Sequence, residues 1–191
     1  MQSKKVIEQD EIEPEYTKTI GNEIHFYGDI TVENTLEFVE VFRKLEIRLL
    51  KQKADLIGYE PEIRVHIMSD GGDMFSGLAL KNLIEKSRVK VITIAQGACC
   101  SAATFMFLGG SERRIGENAY LLIHQLSTEF WGKYQELKDE MKSCEKFMGA
   151  LKKMYTSKTE IPERKFRKLM KKDLYLSASK CLKYKIAHAI D

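Results

Sequence analysis

At 191 residues, with 43% hydrophobic and 31% charged side chains, the chain has the length and composition of one compact globular domain over 1–191. A net charge of +3, with both signs interspersed, gives no basic face for nucleic acid. Four cysteines without C-x-x-C spacing form neither a disulfide framework nor a zinc site, and they suit a reducing, cytoplasmic compartment.

In chain order, residues 1–22 are charged and weakly periodic, which predicts a mobile arm with no secretory leader. Ile24–Tyr27 reads as a strand closed by Gly28-Asp29. Leu36, Val39, Phe42, Leu45 and Leu49 mark a helix from Val32 to about Leu56. Ile63, Val65 and Ile67 alternate with polar neighbours as a strand does, and Asp70-Gly71-Gly72 is a tight turn. A helix with Phe75, Leu78, Ala79 and Leu83 on one side follows, ending near Ser87.

Val89–Ala95 is the most β-branched segment, hence a central strand. A second turn is expected at Gln96-Gly97, and a short buried helix from Ser101 to Leu108. Val91–Ser111 carries no charge and is long enough to span a bilayer, but its glycines and polar residues fit a buried strand, turn and helix instead. Tyr120–Ile123 is strand-like. Trp131, Tyr134, Leu137, Met141, Cys144, Met148, Leu151 and Tyr155 step by three or four, predicting one long amphipathic helix whose stripe is core or subunit interface. A helix over about Pro162–Lys171, the pair Tyr175-Leu176 and a helix over Ser177–Lys183 complete the chain. Strands alternating with helices imply an α/β fold of βαβ units around a mainly parallel sheet, with a long helical arm.

Two turns share the order strand, small residues, helix: Ser69-Asp70-Gly71-Gly72 and Gly97-Ala98-Cys99-Cys100-Ser101. Ligands of parallel sheets bind beyond the carboxyl ends of the strands, so both turns are expected to face one crevice. Consecutive glycines let backbone N–H groups approach a substrate oxygen, and Ser101 is expected at a helix amino terminus. Alone, such residues describe tight turns and close packing equally well. His124, ending an apolar strand, could activate a serine hydroxyl, and Asp173 could fix the imidazole tautomer, with Asp29 and Asp191 as other acids. His25, His66 and His188 lack partners at metal-ligand spacing, so no metal and no cofactor are expected.

Gly71-Gly72, Gln96-Gly97-Ala98-Cys99-Cys100-Ser101-Ala102-Ala103, Leu122-Ile123-His124-Gln125 and Asp173-Leu174-Tyr175-Leu176-Ser177-Ala178 together resemble the proteolytic subunit of the ATP-dependent Clp protease (ClpP). The resemblance runs in order from Ile24 to Asp191. It implies the spiral fold shared by ClpP and the crotonases. It also implies Ser101 as nucleophile, His124 as base and then acid, Asp173 as its orienting partner, and an oxyanion hole from the N–H groups of Gly72 and Ala102. A serine endopeptidase for unfolded polypeptides follows from it, in a homo-oligomer of seven-membered rings stacked in pairs. An AAA+ unfoldase of the ClpX or ClpA type would feed the chamber. No nucleic acid or membrane is involved.

Four departures mark a divergent member, of the kind a bacteriophage or a minor paralogue carries. Cys99-Cys100 replaces small alanines, which also raises a cysteine nucleophile as an alternative. The family's proline- and glycine-rich strand after His-Gln gives way to Leu126–Tyr134. The segment between Val6-Ile7-Glu8-Gln9 and Ile24 is short and acidic, and Lys185 stands where a glycine usually ends the last helix. The other functions compatible with the sequence are a non-catalytic ring subunit, a phage capsid-maturation protease, and a crotonase-type enzyme acting on a coenzyme A thioester.

Overall fold

The computed structural model describes residues 16–191. Most of the expected arm, residues 1–15, lies outside them. Part of the remainder is ordered: β1 (Thr17–Ile20) turns at Gly21 into β2 (Glu23–Tyr27), an antiparallel pair where an arm was expected. The chain continues through α1 (Val32–Asp55), β3 (Glu62–Ser69), α2 (Met74–Glu85), β4 (Lys90–Cys100), α3 (Ala103–Leu108), β5 (Glu112–Ile115) and β6 (Tyr120–Leu122). It ends with α4 (Tyr134–Lys158), α5 (Glu163–Leu169), β7 (Tyr175–Ser177), α6 (Ala178–Lys183) and β8 (Ala189–Ile190). β2, β3, β4, β5 and β8 run parallel in that spatial order, with β6 also parallel to β4 and β7 antiparallel to β6. The mainly parallel α/β sheet of the sequence reading is the sheet observed.

β4 organises it. The turn expected at Gln96-Gly97 is absent, and the strand runs on to Cys100. Its first half, Ile92–Ala95, pairs with β5, and its last residues, Ala98–Cys100, pair with β6. Gln96-Gly97 is where β4 changes neighbour, and there the register against β3 shifts as well, between Ile67 and Ser69. Gly97 thus marks a change of partner within one strand.

α1, α2 and α3 cover one face of the sheet. α1 buries Phe38, Phe42, Leu45 and Leu49, while Leu36, expected on that face, is exposed. Phe38 lies edge-on to Phe26 of β2, and Thr93 of β4 donates to the Phe107 carbonyl of α3 at 2.6 Å. Among the described residues no helix is long and apolar enough to cross a membrane. The uncharged Val91–Ser111 segment is β4 leading into α3.

Two local features of the sequence become intelligible here. Glu46, on the buried side of α1, is fully enclosed. Burial pushes its carboxyl pKa up, but the Arg88 N–H at 2.8 Å, the Arg43 guanidinium at 2.8 Å and the Ser87 hydroxyl at 3.1 Å outweigh that and hold it below the ordinary carboxylate value. Lys185 takes a φ of 51° just past α6. Ile186 N–H reaches the Cys181 carbonyl at 2.9 Å and Lys185 N–H the Leu182 carbonyl at 3.0 Å, the paired bonds of a left-handed helix stop that glycine makes without strain.

Lys185→Gly is therefore expected to raise stability by about 0.5–1 kcal/mol, the left-handed strain removed less the added chain entropy, measured by urea denaturation. Glu46→Gln should cost about 2 kcal/mol at neutral pH by the same method, since charge-assisted bonds are lost inside the protein. Because the folded pKa is depressed, the Glu46 contribution is present above about pH 5 and fades as pH falls. The gap between wild type and variant should close on acidification.

Candidate active site

The site begins at the end of β4. Ser101 adopts a φ of 53°, a left-handed conformation unfavourable for a residue with a Cβ, between the strand and α3. A sharp, strained strand-to-helix step of this kind lifts a side chain out of the sheet edge. Ser101 N–H donates to the Leu122 carbonyl of β6 at 2.8 Å, and the Ser101 carbonyl accepts from the Thr104 hydroxyl at 2.6 Å. The Thr104 hydroxyl also pairs with the buried Tyr155 hydroxyl, tying the step to α4. The helix starts at Ala103, so Ser101 lies two residues ahead of the position expected for it.

The two glycines at the end of β3 press against this step. Gly71 and Gly72 have φ of 102° and 139°. A Cβ on Gly71 would sit 2.6 Å from Ser101 Cβ and 2.7 Å from the Cys100 carbonyl oxygen, and one on Gly72 would sit 2.3 Å from the Ile30 carbonyl oxygen. Bonds from Ile30 N–H to the Gly71 carbonyl (2.7 Å) and from Asp73 N–H to the Ile30 carbonyl (2.8 Å) fix the segment on both sides. Among the described residues, the N–H groups of Gly72 and Ala102 donate to no protein acceptor.

Gly72, Ser101, Ala102 and His124 line one cleft of about 320 Å³. Its apolar wall is built by Phe75 of α2, Phe105 of α3 and Phe147, Leu151 and Tyr155 of α4, with Phe75 and Phe147 ring to ring at 5.5 Å. Asp73 and Glu140 also reach it. This wall was missed because its residues are spread over three helices, and only the packing of those helices brings them together.

His124 lies two residues past β6, beside the cleft. Asp173 is exposed and does not line the cleft. β6 and β7 pair Leu121 with Leu176 and Leu122 with Tyr175, and the ladder ends there, two residues short of both His124 and Asp173. Among the described residues no hydrogen bond joins Ser101 to His124 or His124 to Asp173. Asp191 instead pairs with Arg64 at 2.6 Å, and Asp29 accepts from Asn34 through its backbone carbonyl. Burial pushes the Cys99 thiol far above its ordinary pKa, and burial followed by the Asp70 charge raises Cys100. Neither is disposed to ionise as a nucleophilic thiol must.

The sequence model of the Clp protease family matches residues 46–190. The chain belongs to the Clp protease family. It is 29% identical over 127 residues to the proteolytic subunit from Deinococcus radiodurans, covering 65% of this chain and 62% of that one. Proteolytic subunit 2 from Treponema denticola is 30% identical over 149 residues, covering 76% and 74%. The subunit from Oltmannsiellopsis viridis is 26% identical over 131 residues, covering 68% and 67%. The chain thus spans 62% of the length of the Deinococcus relative. Among solved structures, a ClpP1 mutant from Listeria monocytogenes superposes with a TM-score of 0.75 over 89% of this chain and 91% of its own, at 20% identity, a likeness of fold.

Within this Clp-family chain the segment after His124-Gln125 leads to α4. Ile123–Lys133 contains neither helix nor strand. Leu126 N–H rests on the Met148 sulfur at 3.3 Å, and Lys133 N–H is held by Glu136 at 2.8 Å, which starts α4. Trp131, counted in the helix by its periodicity, lies ahead of it.

Gly71→Ala tests the close approach. The substitution should lower stability by about 2–4 kcal/mol, from left-handed strain plus overpacking against backbone, measured by urea denaturation. A change below 0.5 kcal/mol would show that the two turns are not in the contact described.

Proposed function

We propose that the protein is a serine endopeptidase of the Clp type. Ser101 Oγ attacks the carbonyl carbon of a peptide bond while His124 takes its proton. The tetrahedral oxyanion is received by the Gly72 and Ala102 N–H groups, each such donor being worth about 3–4 kcal/mol. His124 returns the proton to the departing amine, and a water, activated in the same way, hydrolyses the acyl-enzyme. Asp173 holds the imidazole. The carrying observation is the strained Ser101 step pressed against the Gly71-Gly72 turn, with two free N–H groups and His124 on one cleft.

The unjoined Ser101 and His124 fit a resting site that tightens when substrate fills it. The cleft's aromatic wall suits an apolar side chain of an extended polypeptide. Assembly belongs to the same reading. Trp131, Tyr134 and Met141 are 84%, 75% and 54% exposed, an apolar row on and just ahead of α4 that a second copy would cover. Rings of subunits, stacked in pairs and served by an AAA+ unfoldase in a cytoplasm, would restrict the site to unfolded chains. Without the strand usual after His-Gln, contact between rings should be weaker than in other members.

A fluorophosphonate probe should label Ser101, and Ser101→Ala should lose both the label and peptide cleavage by more than a thousandfold. His124→Ala should lose as much and Asp173→Asn somewhat less. Cleavage persisting in Ser101→Ala would discard the assignment, and a soluble oligomer that neither labels nor cleaves would favour a non-catalytic ring subunit.

A further inference from the structure

The face of the sheet turned away from α1–α3 carries a cluster unconnected with the cleft. Parallel pairing of β2 with β3 sets His25 directly against His66 and Glu23 against Arg64. The two imidazoles stack at 4.5 Å between centroids, 9° from parallel. Glu23 Oε2 lies 3.7 Å from His25 Nε2 and 3.2 Å from His66 Nε2, and one ligand atom from each of the three residues falls within 4.8 Å of the others. Tetrahedral ligands about 2.0–2.1 Å from one ion stand roughly 3.3 Å apart, so modest closure completes three of its corners.

His66 points to a ligand independently of that spacing. It is 7% exposed, and its Nε2 is shielded from solvent without a hydrogen bond, although Glu23 lies near it. Buried ring nitrogens are ordinarily satisfied. The outer nitrogens are already served: His66 Nδ1 sits 3.0 Å from the Gln96 side-chain amide and His25 Nδ1 3.4 Å from the Tyr27 hydroxyl. Gln96 presents its amide nitrogen to His66 Nδ1; turning that amide by 180° would offer its oxygen instead, so that His66 Nδ1–H donates and the Nε2 lone pair is free. Glu23 Oε1 is steadied by Arg64 Nε at 3.4 Å, whose charge Asp191 meets at 2.6 Å.

We propose that Glu23, His25 and His66 form a binding site for a divalent cation of the zinc type, with water at the fourth position. Two imidazoles and one carboxylate suit zinc, and they disfavour calcium and magnesium, which take oxygen. The ion would clip the β1–β2 hairpin to β3. Sequence spacing gave no sign of it, because a parallel crossover brings together histidines far apart in the chain.

The full-length protein, stripped with chelator and titrated with zinc chloride by calorimetry, should bind one ion per chain at this site. His25→Ala and His66→Ala should each weaken binding at least tenfold, and Glu23→Gln should also weaken it. Zinc should raise the thermal midpoint of the wild type and not of these variants. Loading with Co²⁺ should give a tetrahedral spectrum without a thiolate charge-transfer band, which separates this site from Cys144. Should His66→Ala fail to fold, the more exposed His25→Ala and Glu23→Gln carry the test. Zinc binding unchanged in the His25→Ala/His66→Ala double variant, or a thiolate band, would overturn the proposal.

Discussion

Everything at the cleft depends on two backbones lying closer than side chains permit. The Gly71-Gly72 turn touches Cys100, Ser101 and Ala102 on one side and Ile30 on the other, with no room for a Cβ at either glycine. That contact leaves the Gly72 and Ala102 N–H groups beside the same opening. Left-handed backbone at Ser101 costs about 1–2 kcal/mol. The bonds to Leu122 and Thr104, at about 0.5–1.5 kcal/mol each, are of the size needed to offset it. The strain is held by neighbours on β6 and α3, both anchored in the core.

The sheet then does the positioning. One long strand, β4, carries Ser101 at its end and passes β5 before taking β6 as its neighbour. β6 delivers His124 to the cleft, and Asp173 lies just ahead of its antiparallel partner β7. The placing of His124 beside Ser101 on one cleft thus depends on consecutive pairings of one sheet, and a slip of β6 against β4 would move His124 relative to Ser101.

This arrangement explains what could be read from the amino acids and what could not. β3 was legible from its alternation and α3 as an apolar run after small residues; α2 was legible in extent, but it buries Ser76, Gly77, Leu80 and Ile84 while Phe75, on the stripe expected there, is 60% exposed. The end of β4 was misread: Gly97 is a turn residue, yet a change of sheet partner within a strand uses glycine as well. On α1 the buried face runs through Phe38 and Phe42, and Leu36, equally apolar, faces solvent; composition does not say which apolar stripe meets the sheet. β5 is short and charged and β8 is only two residues long, so neither announces itself; β5 pairs with β4, and β8 with β5. The Glu23–His25–His66 cluster needed the parallel register, which no local pattern encodes.

α4 joins the cleft to the outside of the molecule. Its C-terminal half is locked, with Leu151 and Tyr155 buried and Tyr155 packed between Phe105 and Phe166. Its N-terminal half still supplies Glu140, Cys144 and Phe147 to the cleft wall, while Tyr134 and Met141 face solvent. The helix is thus anchored in the core at one end and half-packed at the other. Any partner covering the exposed row would bear on the segment that follows His124, because Leu126 rests on Met148 of the same helix. The outer face of α4 and the segment that follows His124 are therefore joined through one element, by the contact of Leu126 with Met148.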